Sequence, residues 1–176
     1  MIHVFGANGR VKDMERLISK LSDISSDRKV VIQVMDADMV YSKNHVISAV
    51  HHAIRAFRNG TNSTRRLSME IMLYAAGERQ IGNAIRKMGI KEDSERLVFV
   101  FVSSLPDIGE ASGRLDDNEA RRIIADLGFE LDDGVIYGNK ETLRKFGISD
   151  MEIRTVSKDK YEDLILEKVA MVDIIK

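Results

Sequence analysis

His45, His51 and His52 are the first residues in this chain whose chemistry could bind a metal. Zinc-binding helices set two histidines four residues apart, so that both imidazoles share a face. His51 and His52 are adjacent and diverge by about 100° around a helix, and His45 lies about two turns before His52. That spacing predicts no zinc site. Asp36 and Asp38 point to one side of an extended segment and could hold Mg²⁺, but no third oxygen ligand lies near them in the sequence. They read as a solvated strand end. Gly6-Ala7-Asn8-Gly9 follows a predicted strand and precedes a predicted helix, the place where phosphate-binding loops sit. It matches neither GxGxxG nor a Walker sequence and is expected to be a structural turn. The chain has no cysteine, which excludes disulfides, thiolate ligands and cysteine nucleophiles together. No serine stands in a recognisable relation to a histidine and an acid, and no carboxylate pair is set up for acid–base work. The expectation is a non-enzyme with no metal and no cofactor. Catalytic groups converge in space rather than along the chain, so a small hydrolase is kept as an alternative of another class.

The remaining chemical signal is charge. Lys43, Arg55, Arg58, Arg65, Arg66, Arg79, Arg86, Lys87 and Lys91 fall close together, whereas the stretch 105–133 is acidic. The asymmetry predicts a charge dipole whose basic face attracts phosphates and releases counterions. Ile71, Met72, Tyr74 and Ile81 lie within the basic stretch and could accept unstacked bases, as recognition of single-stranded RNA requires. The competing reading is an ordinary solvated basic face.

The elements that must position these residues centre on residues 61–91. Two consecutive helices are expected there, capped at Ser63 or Thr64, broken at Gly77 and closed at Gly89. Leu67, Ile71 and Tyr74 mark the apolar face of the first, and Ile81, Ile85 and Met88 that of the second. Upstream, strands are predicted at 2–5 and 30–35, with a helix over 11–24 between them. That order permits a right-handed parallel crossover. A helix capped by Ser42 or Asn44 runs to Arg58 and stops at Gly60. Residues 97–102, LVFVFV, are apolar on both faces and predict a central strand. A loop over 104–115, free to move, then helices over 118–127, 141–146 and 160–174 follow, with short strands expected at 135–137 and 153–156. The fold class is α/β (α+β): a small central sheet of three to four strands packed by several helices, in a single domain over 1–176.

Length and composition agree. At 176 residues one domain can bury on the order of 70 % of its unfolded surface without staples. The net charge of −1 excludes a nonspecific polycation, so any nucleic-acid surface must be local. No basic segment followed by an apolar core marks a signal peptide. No apolar run approaches the roughly 20 residues that span a bilayer. A soluble, cytoplasmic protein with no membrane contact is expected.

Residues 69–90, MEIMLYAAGERQIGNAIRKMGI, resemble the signature of the small kinase-binding subunits of the KEOPS (EKC) complex, the family of the human PRPK-binding protein. Met69-Glu70-Ile71, Ala76-Gly77, Arg79-Gln80-Ile81, Ala84-Ile85 and Gly89 carry the likeness. His45-Val46 to Arg58 and Leu166-Glu167-Lys168-Val169-Ala170 extend it along most of the chain. The resemblance implies a non-catalytic accessory subunit. Such subunits bind and stimulate an atypical protein kinase at its N-terminal lobe, within a complex that makes the threonylcarbamoyl modification on the adenosine beside the tRNA anticodon. Contact with the other subunits is then indirect. In archaeal members it also implies capture of the tRNA 3′ CCA end. The RNA face is accordingly expected at Lys43, Arg55, Arg58, Ile71, Tyr74, Arg79, Gln80, Ile81, Arg86 and Lys87. The C-terminal helix has apolar residues on more than one side, which predicts a kinase surface made by Leu164, Ile165, Leu166, Val169, Met171 and Val172. An adaptor that binds a kinase and no RNA is the alternative reading.

Overall fold

A computed structural model describes all of residues 1–176. Four strands form one antiparallel sheet in the order β2-β3-β1-β4: β1 (Ile2–Asn8), β2 (Val31–Asp36), β3 (Arg96–Val102) and β4 (Glu130–Leu131). β3 is central because its side chains are apolar on both faces. Val98, Val100 and Val102 enter the larger core on one side, and Leu97, Phe99 and Phe101 enter the smaller core on the other. β1 and β2 both run antiparallel to β3. They are therefore parallel to each other, as the strand–helix–strand order permits, but β3 separates them.

Eight α-helices cover the two faces. The smaller core takes α1 (Met14–Arg28) and α5 (Asp117–Asp126), and the larger takes α2 (Lys43–Asn59), α3 (Leu67–Ala76), α4 (Ile81–Met88) and α8 (Tyr161–Ile175). α6 (Lys140–Phe146) and α7 (Asp150–Arg154) close the end of the larger core through Leu143, Phe146 and Ile153. Local chemistry sets most boundaries. The Ser42 hydroxyl accepts from the His45 N–H, and Gly60 at φ +66° leaves α2 through the left-handed region. Asp13 caps α1, which therefore starts at Met14 rather than at Val11.

Several expectations are corrected. Gly6-Ala7-Asn8 is strand, not turn: Gly6, Ala7 and Asn8 pair with Val98, Leu97 and Arg96. A Cβ on Gly6 would meet the Asp132 carbonyl at 2.5 Å, so this glycine serves close backbone packing and no phosphate loop. Residues 133–135 form a 3₁₀ turn in place of a strand, and β4 lies just before it. Residues 150–154 are helical because Ser149 and Glu152 form a reciprocal capping box. The loop 104–115 is packed rather than free. Ile108, Ala111 and Leu115 are buried, and the Ser104 and Leu105 N–H groups donate to the Gly113 and Ala111 carbonyls.

Candidate nucleic-acid and partner interfaces

α3 positions everything in the central stretch, and it is buried nearly all round. Its sequence LSMEIMLYAA carries a single charge, so no side of the helix suits water. Ile71 and Tyr74 are both fully buried. Neither presents a face to an unstacked base, and the expectation of a stacking platform there is corrected. The Tyr74 hydroxyl donates to Asp173 of α8, and His52 stacks on its ring. Burial, then the Asp173 carboxylate, pushes the Tyr74 phenol up from its ordinary value. Burial pushes Asp173 up too, but hydrogen bonds from Tyr74, Arg55 and His52 outweigh it and hold Asp173 below the usual carboxylate range.

No side chain of α3's own preceding loop caps it in the predicted way. Instead the fully buried Glu70 turns back: its carboxylate accepts from the Ser63 and Thr64 N–H groups and from the Thr64 hydroxyl. The Lys176 Nζ completes the site at 2.7 Å from Glu70. Glu110 accepts from the Leu67 N–H at 2.6 Å, supplying the first turn from another loop. A buried charge in a helix reads as surface in sequence, and only its spatial partners reveal its role.

The basic residues divide in two. Lys43 pairs with Asp133, Arg55 with Asp173, and Arg58 with Asp107 through two nitrogens. The acidic stretch thus folds back on part of the basic one, and the expected charge dipole is reduced. Lys87 is engaged as well. Its Nζ donates to the Ala76 carbonyl at 2.8 Å, lies near Glu78 and sits over the Phe146 ring, and burial pushes its pKa down. Arg65, Arg66, Arg79 and Arg86 are exposed and form no ion pair. Gln80 is exposed beside Arg79, and Ile81 is half-buried.

Of the residues expected to meet a kinase, Ile165, Val169 and Val172 are fully buried in this chain's own core. They are the stripe that holds α8 against α2 and α3. Leu164 and Leu166 are half-buried and Met171 is 40 % exposed. Ile174, 75 % exposed, and Ile175 extend the outer apolar surface beyond the residues the sequence singles out.

The remaining chemistry is structural. His45 is fully buried; its Nε2 lies 2.8 Å from the Ala75 carbonyl and its Nδ1 accepts from the Tyr41 N–H. Both bonds are satisfied by the neutral ring, and burial holds its pKa down to about 4. Asp36 caps the 3₁₀ turn that follows β2, and Asp38 pairs with Arg96. Ile85, expected on the inner face of α4, is 47 % exposed. It stands on the rim of a groove of about 340 Å³, within the size range of ligand sites. The outer edge of β2 forms the floor of this groove, α1 forms one wall, and α3 with α4 forms the other.

Residues 9–173 match the model of a family described as kinase binding protein CGI-121. The chain is 28 % identical over 148 residues to the regulatory protein Cgi121 of Methanocaldococcus jannaschii, covering 82 % of this chain and 84 % of that one. It is 30 % identical over 124 residues to the KEOPS complex subunit Cgi121 of Pyrococcus abyssi, covering 63 % of this chain and 70 % of that one. It is also 33 % identical over 78 residues to the EKC/KEOPS complex subunit CGI121 of Coccidioides immitis, 44 % of this chain. That match spans only 38 % of the fungal relative's length.

Proposed function

This chain belongs to the CGI-121 family of kinase binding proteins, and from that membership we propose that it is a non-catalytic accessory subunit of a KEOPS complex, docking on the N-terminal lobe of the atypical kinase and helping to recruit tRNA through its 3′ CCA end. The observation that carries the reading is the apolar surplus of α8. Ile165, Val169 and Val172, with Tyr161 and Leu164 packed beside them, hold the helix to its own domain, yet Leu166, Met171 and Ile174 remain outside that core with Met171 and Ile174 exposed. An exposed apolar strip on a helix suits a partner interface. The RNA part rests on Arg65, Arg66, Arg79 and Arg86, which have no carboxylate to neutralise them and flank the ends of α3 and α4. Their free charge is available to phosphate.

The kinase reading is tested by Leu166→Glu and Met171→Glu in co-purification with the kinase. Both variants should fold with nearly unchanged melting temperature and lose the kinase. A folded double variant that still co-purifies would remove α8 from the interface. The RNA reading is tested by gel shift with tRNA, with and without its CCA end. Arg79→Glu with Arg86→Glu should abolish the shift, and the trimmed tRNA should bind markedly worse. Equal binding of both RNAs by the variant and the parent would leave the adaptor reading.

A further inference from the structure

The groove beside α1 has a floor unlike its walls. β2 is the outermost strand, paired with β3 on one side only. In such a strand every second residue turns its N–H and C=O away from the neighbour. Along residues 31–35 no backbone N–H donates to any group outside the sheet. The one bond that a carbonyl there accepts from a side chain comes from Gln33, whose Nε2 donates to the Val34 carbonyl at 2.8 Å. Unpaired, nearly buried backbone groups are rare because they are costly. Exposed edges are ordinarily guarded by a charge, a proline or a bulge. Residues 31–35, VIQVM, contain neither a charge nor a proline and pair with β3 in unbroken register. Gln33 covers the Val34 carbonyl and Asp36 ends the strand; the rest of the edge is guarded by depth, since Ile18 of α1 and Ile85 of α4 rise on either side and are each about half exposed.

We propose that this groove binds a short extended peptide segment of a partner protein, added as a fifth strand on β2, with alternating apolar side chains and acidic flanks. The unpaired row selects the class of ligand. Alternating donors and acceptors at strand spacing match another extended backbone, and side chains of alternate residues then face the α1 wall and the α3–α4 wall. A nucleobase would meet the same apolar walls but would leave that row unmatched. The rim selects the flanks. Lys29 and Arg66 stand on it with no ion pair, two cations against the single carboxylate of Glu110, one oxygen of which accepts from the Leu67 N–H. The rim is therefore positive toward a ligand. This inference does not rest on the proposed RNA binding, although Arg66 serves both readings.

The test uses the full chain and a fluorescein-labelled octapeptide of alternating valine and threonine with an aspartate at each end. Fluorescence anisotropy should show saturable binding, and Ile18→Glu or Ile85→Glu should weaken it by roughly tenfold or more, about 1.4 kcal/mol, without lowering the melting temperature. N-methylation of alternate peptide amides should abolish binding in one frame and spare it in the other, because only every second N–H faces β2. Hydrogen exchange of residues 31–35 should slow when the peptide is added. Any of three results with the peptide overturns the proposal: no saturable binding at millimolar peptide, equal sensitivity to methylation in both frames, or peptide binding without protection of β2. An oligoribonucleotide ending in CCA that seats against Ile18 and Ile85 and excludes the peptide would likewise overturn it, and would assign the groove to RNA.

Discussion

Glu70 shows how one residue can organise a loop, a helix and a distant terminus. Its carboxylate holds the Ser63 and Thr64 amides and the Lys176 ammonium in a site closed to water. Removing one member of a buried ion pair leaves the other uncompensated. Glu70→Gln should therefore destabilise the fold by about 3 kcal/mol. Lys176→Met in that background should recover part of the loss, and a double-mutant cycle by chemical denaturation measures the coupling. Strictly additive single effects would show that the pair is not coupled. His45 makes a second prediction. Its folded pKa of about 4 lies below the ordinary histidine value, so the unfolded chain binds the extra proton. Stability from this group is complete above about pH 6.5 and is lost as pH falls toward 4, by on the order of 3 kcal/mol. His45→Gln retains a donor and an acceptor without titrating, so its stability should fall less steeply between those pH values. Identical pH slopes in the two proteins would refute the assignment.

At the scale of elements, the helix ends carry the specificity. Gly60 and Gly77 both sit in the left-handed region, at φ +66° and +64°. Around Gly60 an added Cβ meets nothing within 4 Å, whereas at Gly77 it meets Phe146 at 3.3 Å and Lys168 at 3.4 Å. Gly60→Ala should cost only the backbone strain, about 1 kcal/mol. Gly77→Ala should cost more, because α6 and α8 must also shift, and thermal melts of the two variants rank them. α8 itself divides by face. Val169→Glu places an unpaired charge in the core and should cost several kcal/mol, whereas Met171→Glu should barely move the melting temperature. Comparable melting temperatures would mean that the helix is held by something other than its inner stripe.

For the molecule as a whole, the partition of arginines separates the proposed RNA contacts from residues already paired within the chain. Arg55 and Arg58 already face Asp173 and Asp107, so replacing both with Gln should leave tRNA affinity nearly unchanged. Replacing Arg65 and Arg66 with Gln should weaken binding and flatten its salt dependence, since the slope falls by about 0.7–0.9 for every phosphate that is no longer neutralised. Titrations at several salt concentrations separate the two pairs. A larger effect from Arg55 and Arg58 would mean that their ion pairs open on binding. No helix of the chain is long and apolar enough to cross a membrane; Met171, Ile174 and Ile175 at the α8 end and Ile18 and Ile85 along the groove are exposed, as are Met1, Tyr137 and Met151 elsewhere.

The sequence by itself determined the elements whose signals are local. The LVFVFV run made a central strand because its alternation serves two faces at once, and Ser42, Gly60 and Gly77 marked helix ends through chemistry that acts within one turn. The residues 69–90 were enough to point to the family, which the match over 9–173 establishes. Signals that depend on distant partners were not legible. Whether an arginine is free depends on which carboxylate folds against it, and Asp107 lies 49 residues from Arg58. The same limit hid the buried state of Ile71 and Tyr74: a periodic apolar face shows that one side is covered, but only the packing of α2, α4 and α8 decides that every side is. Glu70 reads as a surface charge until Lys176 is brought to it, and the edge of β2 is an edge only because β1 crosses to the far side of β3. Strand order, ion pairing and burial all round a helix are properties of contacts made across the whole chain, so the tertiary structure alone decided them.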